Sequence, residues 1–227
     1  MKNYAIILAG GSGNRMKMET PKAFIKIKEK FLIEYCIQAF SENKQIDHII
    51  LVVPGEYIKP TEEAIKTKYT KVISVQQGGA SRYESSKIGV GQVNEEQAKI
   101  LIHDAARPFV TQNIINDSVS ALDHFDAINP LAPISDTLVR LENNQVAGNL
   151  DRNKIRQAQT PQSFKLKTIS IAHKKAEQEN EEITDDYNLV LKYKCGSASW
   201  IEGSKLNFKV TYPDDLELAT RLTQEQH

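Results

Sequence analysis

The sequence predicts an α/β protein with a mostly parallel sheet and helices on both faces. Two observations support this prediction. Short apolar runs alternate with amphipathic stretches from residue 4 to residue 125, and strands that alternate with helices form parallel sheets. Hydrophobic residues make up 40% of the 227 residues and charged residues 26%. This balance is typical of a chain with a buried core and excludes a mostly disordered one.

The individual elements follow from the spacing of the apolar residues. Apolar runs bounded by glycine, proline or charge predict strands, and apolar residues three to four positions apart predict helices. In the first half, strands are predicted at residues 4–8, 48–53, 71–75 and 99–103, and helices at 32–40, 61–68, 83–90 and 112–125. Because ligands bind at the carboxyl ends of parallel strands, we expect the loops after Leu8, Val75 and Ile102 to share one site.

The regular alternation breaks in the second half of the chain. Residues 137–147 predict a β-hairpin with a polar turn, which fits an arm or lid and a plain surface hairpin equally well. Further elements are helices at 166–179, 186–194 and from Pro213, and strands at 198–201 and 208–211. The sequence has no repeat and no low-complexity linker, so we expect a single domain over residues 1–227 with an inserted β-arm at about 136–156.

Charge and cysteine usage exclude several classes of protein. Lys and Arg number 29 and Asp and Glu number 29, so the basic excess of a nucleic-acid or membrane-surface protein is absent. No apolar run approaches the roughly 20 residues of a membrane span, and the N-terminus lacks the features of a signal peptide. Two cysteines, Cys36 and Cys195, are too few for a cysteine metal site. We therefore expect a cytoplasmic protein with reduced thiols and neither nucleic-acid nor membrane partners.

A glycine-rich loop follows the first predicted strand, from Ala9 to Arg15, and Lys22 comes shortly after it. No Gly-Lys-Ser or Gly-Lys-Thr occurs in the chain, which excludes a P-loop, and Met16 occupies the third glycine position of a dinucleotide fingerprint. Glycines let backbone N–H groups approach a polyphosphate closely, and the two cations would complete such a site. A tight turn with two solvated cations is the alternative.

Two further loops and one isolated lysine carry polar chemistry. Residues 78–86 pair two glycines with a hydroxyl-rich helix start, which fits either an anion or nucleobase site or an ordinary capped helix. Asp104 ends the fourth strand, where it suits a magnesium ion, a ribose hydroxyl or a structural pair with Arg107. Lys209 lies between Phe208 and Val210, so it either points outward or meets an anion.

These motifs, in this order, resemble the polyol-phosphate cytidylyltransferases, the family of 2-C-methyl-D-erythritol 4-phosphate cytidylyltransferase and ribitol-5-phosphate cytidylyltransferase. The resemblance extends from Ile6 to about Leu218. It rests on Ala9-Gly10-Gly11-x-Gly13-x-Arg15-Met16, Pro21-Lys22, Gly78-Gly79-x-x-Arg82, His103-Asp104-Ala105-Ala106-Arg107-Pro108, Thr160-Pro161-Gln162 and Lys209-Val210-Thr211. It implies a Rossmann-like nucleotidyltransferase domain, a β-arm used in homodimerisation, CTP and Mg²⁺ as ligands, and release of pyrophosphate.

The resemblance also implies a role for individual residues. Four candidate catalytic cations fall into two pairs: Arg15 and Lys22 on the triphosphate, and Arg152 and Lys209 on the acceptor phosphate. The residues that match the nucleotide site are Leu8, Ala9, Gly10, Gly11, Gly13, Gly79, Arg82, Ser85, Asp104 and Ala105. Those on the acceptor side are Asp104, Arg107, Thr137, Arg152, Thr184, Asp185 and Lys209. Asp104 is also the candidate Mg²⁺ ligand, with the triphosphate as the alternative holder of the ion.

The sequence leaves the acceptor open between two polyol phosphates. Ala9-Gly10-Gly11 is closer to the ribitol type, whereas Asp151-Arg152 and the segment 183–185 are closer to the erythritol type. Ala80 stands where erythritol enzymes often have Asp. We expect transfer from CTP to 2-C-methyl-D-erythritol 4-phosphate, a step of isoprenoid precursor synthesis. The alternative is D-ribitol 5-phosphate, giving CDP-ribitol for cell-surface polymers. A sugar-1-phosphate nucleotidyltransferase and a non-catalytic nucleotide-binding module are the competing classes.

Overall fold

The structure is a computed structural model that describes residues 1–10, 20–179 and 185–224. The strands are β1 (Lys2–Leu8), β2 (Lys26–Ile27), β3 (Lys30–Phe31), β4 (His48–Val53), β5 (Val72–Gln77), β6 (Ala98–Asp104), β7 (Ala127–Pro133), β8 (Val139–Glu142), β9 (Gln145–Asn149), β10 (Arg156–Ala158), β11 (Gln162–Lys165) and β12 (Ala198–Glu202). The α-helices are α1 (Leu32–Glu42), α2 (Ile58–Thr61), α3 (Arg82–Val90), α4 (Gln112–Ala121), α5 (Leu166–Glu179), α6 (Asp186–Tyr193) and α7 (Pro213–Leu222).

An eight-stranded sheet forms the centre of the fold. Its order is β10-β7-β11-β6-β1-β4-β5, and β12 lies on β7. Strands β5, β4, β1 and β6 are parallel, β11 is antiparallel to both β6 and β7, and β12 is parallel to β7. The register aligns Leu8 with Val52 and with Asp104. The carboxyl ends of β1, β4 and β6 therefore meet at one edge of the sheet.

Helices cover both faces of this sheet. On one face Ile33 and Phe40 of α1 and Ile115 of α4 join a cluster with the apolar residues of β1, β4 and β5. On the other face α3, α5 and α6 pack on the sheet, with Ile169 and Val190 buried there. Burial on both faces is the reason that the central strands read as continuous apolar runs. The predicted α/β architecture is confirmed.

Several predicted elements differ from the structure. The helix predicted at 61–68 is a short helix, α2, followed by a wider π turn over Glu62–Lys66. The helix predicted at 112–125 ends at Ala121. The strand predicted at 208–211 is wrong: this segment has no strand partner, and the Val210 N–H donates instead to the carbonyl of Ala106. Strands β2, β3, β7, β10 and β11 are not among the predicted strands.

The predicted hairpin is present as β8 and β9. Its two-residue turn is formed by Asn143 and Asn144, both with positive φ (49° and 61°), and paired positive φ values match the right-handed twist of a hairpin. All residues of both strands are exposed. Apolar side chains lie among them, with Leu141 62% and Val146 66% exposed. The hairpin thus presents apolar surface that the other described residues do not cover.

Candidate active site

Three loops meet at the carboxyl edge of the sheet. The Ala9 N–H donates to the carbonyl of Val52 at 2.8 Å, and the Ala105 N–H donates to that of Leu8 at 2.9 Å. A Cβ atom on Gly10 would lie 3.3 Å from Ser85 Oγ, so the start of the first loop touches the second. The described parts of the loops after Leu8, Val75 and Ile102 therefore lie next to one another; that they form one functional site stays a prediction.

The second loop is held tightly against helix α3. Ser85 Oγ accepts from the Gly79 N–H at 3.2 Å and donates to the Ser81 carbonyl at 2.9 Å. Ser81 in turn caps α3 by accepting from the Glu84 N–H. A side chain on Gly79 would be forced against Glu84, because an ideal Cβ there overlaps with Glu84 Cβ. The capped helix predicted as one alternative for residues 78–86 is therefore present, and its cap lies in the same loop that lines the site.

Asp104 lies between two cations. Its Oδ1 accepts from Arg82 Nε at 3.1 Å, and its Oδ2 accepts from Lys209 Nζ at 2.7 Å. Burial alone would raise the pKa of Asp104, but the charges of Arg82 and Lys209 outweigh it and hold the pKa well below its ordinary value. The carboxylate is ionised at neutral pH. The sequence left two alternatives for Lys209, pointing outward or meeting an anion. The structure shows the second, because Lys209 Nζ contacts the Asp104 carboxylate.

The described residues do not fit a metal held by the protein. Both oxygens of Asp104 already have a cationic partner. Over the ranges 1–10, 20–179 and 185–224, no three His, Cys, Asp or Glu side chains come close enough to bind a metal ion together. Asp104 in this arrangement is therefore an ion-pair partner of Arg82 and Lys209.

Some of the remaining predicted residues lie in the described part of the chain, and the others lie outside it. Arg107 is buried, and its Nη1 donates to the carbonyl of Asn207 at 2.8 Å, so it supports the segment that carries Lys209. Asp185 caps α6 by accepting from the Asn188 N–H. Thr137 and Arg152 lie exposed beside the hairpin, where Arg152 Nη1 donates to the Ser135 carbonyl. Lys22 begins a short 3₁₀ turn, Lys22–Phe24. Gly11, Gly13, Arg15 and Thr184 lie outside the described residues.

The structure adds one residue that the sequence motifs missed. Asp186, at the start of α6, is 1% exposed, and its Oδ2 accepts from Arg82 Nη1 at 2.6 Å. Arg82 therefore bridges two carboxylates, Asp104 and Asp186. The signal that could have found it was the second acid of the pair Asp185-Asp186, directly after the predicted acceptor residues.

His103 is a buried neutral histidine below the Asp104 loop. Its Nε2 lies 3.0 Å from the carbonyl of Arg107, and its Nδ1 lies 3.0 Å from Thr160 Oγ1. Since a carbonyl only accepts, the hydrogen-bond network assigns the proton to Nε2 and leaves Nδ1 to accept from the threonine hydroxyl. Thr160 Oγ1 also accepts from the Asp104 N–H at 3.1 Å. His103 and Thr160 thus fix the backbone that carries Asp104.

This histidine predicts a loss of stability in acid. Burial lowers the pKa of His103 to about 4 from an ordinary value of 6.5. Between these values the unfolded chain binds the proton and the folded chain does not, so stability falls as pH drops through that window. From pH 7 to pH 5 we expect a loss of about 2 kcal/mol from this group. Urea unfolding at both pH values measures it, and a His103→Gln variant that keeps the full pH dependence would contradict the assignment.

The fold and the charges at its carboxyl edge narrow the class of protein. Within the described ranges no helix is both long and apolar enough to cross a membrane. A mostly parallel sheet whose carboxyl edge gathers a glycine loop, a capped helix and alternating charges is typical of enzymes that bind nucleotides.

The sequence model of the family described as 2-C-methyl-D-erythritol 4-phosphate cytidylyltransferase matches residues 4–225. The chain is thus a nucleotidyltransferase. It belongs to the 2-C-methyl-D-erythritol 4-phosphate cytidylyltransferase family.

Individual relatives are similar over nearly their whole length. A 2-C-methyl-D-erythritol 4-phosphate cytidylyltransferase of Lachnospira eligens is 36% identical, over 96% of this chain and 97% of the relative. A ribitol-5-phosphate cytidylyltransferase of Lactiplantibacillus plantarum is 33% identical, over 98% and 99%. Among solved structures, the 4-diphosphocytidyl-2C-methyl-D-erythritol synthase of Anaerococcus prevotii superposes with a TM-score of 0.87 at 26% identity, over 99% of this chain and 96% of that one.

Proposed function

We propose that the protein joins CTP to 2-C-methyl-D-erythritol 4-phosphate. A phosphate oxygen of the acceptor attacks the α-phosphorus of CTP, the bond from that phosphorus to the β-phosphate oxygen breaks, and pyrophosphate leaves. The products are the CDP-linked polyol and pyrophosphate. The observation that carries the proposal is the ionised Asp104 between Arg82 and Lys209, at the edge where the glycine loops meet, in a chain of this family.

This chemistry needs no general base. A phosphate monoester has a second pKa of about 6, so the acceptor is already a nucleophile at neutral pH. His103, the histidine nearest to Asp104 in sequence, already uses both ring nitrogens on Thr160 and the Arg107 carbonyl. What the enzyme must supply is alignment of the two phosphates and neutralisation of the charge that grows on the leaving pyrophosphate.

The roles of the cations follow from that requirement. Arg15 and Lys22 act on the triphosphate, and Lys209 with Arg152 grips the acceptor phosphate. Magnesium would be held by the triphosphate of CTP rather than by Asp104, which pairs with Arg82 and Lys209. When bound, the ion neutralises triphosphate charge.

A side-by-side assay tests the acceptor. Pyrophosphate release is measured with CTP and either 2-C-methyl-D-erythritol 4-phosphate or D-ribitol 5-phosphate, with UTP and ATP as controls for the base. We expect kcat/KM to be at least about tenfold higher with the erythritol phosphate, since a differing chain length changes the fit of the whole polyol. The ribitol alternative is favoured by the 33% identical ribitol-5-phosphate relative, and the reverse preference would establish it.

We also propose a homodimer formed through the β-arm, in which Arg152 reaches the neighbouring site. An isolated hairpin is marginal in water, and exposed apolar residues such as Leu141 call for a partner surface. Light scattering at micromolar concentration is expected to give a dimer for the parent protein and a monomer for Leu141→Glu. Leu218→Glu, on the exposed face of α7 at 47% exposure, is the matched control and is expected to stay dimeric. A fully active parent monomer would refute the proposal.

A further inference from the structure

Behind the candidate site lies a buried cluster around Asp186. Its Oδ1 accepts from Ser86 Oγ at 2.6 Å and from His173 Nε2 at 3.0 Å, and its Oδ2 accepts from Arg82 Nη1 at 2.6 Å. Its backbone N–H donates to Gln162 Oε1 at 3.1 Å. Both ends of this residue are thus fixed by groups from α3, α5 and the start of β11, and the carboxylate has little freedom to move.

Stability alone is a weak explanation for this cluster. Asp186 is 1% exposed, and His173 and Ser86 are buried as well. A buried ion pair loses much of its attraction to the cost of desolvation, and apolar residues of similar volume often stabilise such a position as well or better. A fixed carboxylate does something that apolar residues cannot do: it determines where the guanidinium of Arg82 lies.

Arg82 places one N–H group on each of the two acids. Its Nη1 donates to Asp186 Oδ2, and its Nε donates to Asp104 Oδ1. The other oxygen of Asp104, Oδ2, accepts from Lys209 at 2.7 Å. Because the guanidinium is planar and rigid, a fixed Asp186 sets the direction from which Arg82 meets Asp104.

One more atom supports this interpretation. Arg82 Nη2 is buried and has no hydrogen-bond partner within the part of the chain that the structure describes. A buried guanidinium N–H without an acceptor is uncommon and calls for a reason. The guanidinium is therefore held by its other two nitrogens, Nη1 on Asp186 and Nε on Asp104, so the two carboxylates set its orientation even though one donor stays unpaired among the described residues.

We infer that Asp186 is a positioning residue, which aligns Arg82 so that Asp104 and Lys209 are set for the nucleotide and the acceptor. This inference rests on the proposed cytidylyltransferase function. It assigns Asp186 no contact with substrate: its whole effect passes through Arg82.

A double-mutant cycle on CTP binding tests the inference. The dissociation constant for CTP is measured by titration calorimetry for the parent, Asp186→Asn, Arg82→Gln and the double variant. We expect Asp186→Asn to weaken CTP binding by about tenfold in the parent and by less than about twofold when Arg82 is already replaced. An equal loss in both backgrounds means that Asp186 acts only on the general structure, and overturns the inference.

Two further variants separate charge from packing. Asp186→Glu keeps the carboxylate and is expected to hold the CTP dissociation constant within about threefold of the parent; a loss as large as that of Asp186→Asn contradicts the inference. Glu177→Gln is the matched control, since Glu177 also bridges α5 to α3 through Lys87, but at the surface. It is expected to bind CTP as the parent does.

Folding and function are checked separately. If Asp186→Asn melts too low for titration, His173→Gln replaces it in the cycle, because it removes one donor to Asp186 and leaves the pair with Arg82. The same dependence on Arg82 is expected, and its absence overturns the inference. A parent protein that fails to bind CTP refutes the proposed function instead, whereas a parent that binds CTP with no effect of Asp186 refutes only this inference.

Discussion

Replacing Asp104 with asparagine is expected to lower kcat/KM by about 100-fold, with CTP and with the acceptor alike. Of the two charge-assisted hydrogen bonds from Arg82 and Lys209, the amide keeps an acceptor for only one, and the loss of one such bond costs about 1.5–3 kcal/mol. The new amide also turns a donor toward one of the two cations, since an asparagine accepts at only one of its ends. Steady-state kinetics with each substrate varied in turn measures the change.

The control for this variant is another acid–lysine pair away from the site. Asp123 accepts from Lys99 at 2.6 Å but is 64% exposed, so Asp123→Asn should leave the kinetics unchanged. Thermal unfolding of both variants separates loss of chemistry from loss of fold. If Asp104→Asn keeps parent kcat/KM, Asp104 is not at the reacting centre.

Replacing Lys209 with alanine is expected to lower kcat/KM for the acceptor by about 10- to 100-fold, on the same scale of one charge-assisted bond. The CTP dissociation constant is expected to change little, because Arg82 still holds Asp104 from its other side. Since the acceptor phosphate oxygen is also the nucleophile, both its binding and its alignment suffer, so KM rises and kcat falls together.

Lys165 offers a matched control for Lys209. The two lysines are similarly exposed, 35% and 38%, and each forms one ion pair with an aspartate. Lys165→Ala is expected to keep parent kinetics. If Lys209→Ala abolishes CTP binding and spares the acceptor, the two halves of the site are assigned the wrong way round.

The sequence predicted the elements whose signal is local. The central strands are buried on both faces, so they show as continuous apolar runs, and the predicted strand at residues 48–53 matches β4. Strand β7 is not predicted from the sequence because Asn129, Pro130 and Pro133 interrupt its apolar residues. Asparagine and proline are rare in strands. Strand β11 is short and has only Phe164 as a large apolar residue.

The candidate site shows the same division between local and distant signals. Glycine loops and the strand-end Asp104 can be recognised from neighbouring residues, and the structure brings them together. The pairing of Arg82 with Asp186 joins positions 104 residues apart, and no periodicity in the sequence connects them. The strand wrongly predicted around Lys209 had a suitable apolar pattern, but in the fold that segment passes beside Ala106 without joining the sheet.

The order of the strands also governs how the chain can be made. Strand β1, which is synthesised before the other strands of this sheet, lies inside the sheet between β4 and β6. One of its edges stays unpaired until β6 has been synthesised, and a bare apolar edge is a template for wrong pairing with another chain. Such distant pairings slow folding. During synthesis, a strand that lies inside the finished sheet is therefore an exposed edge.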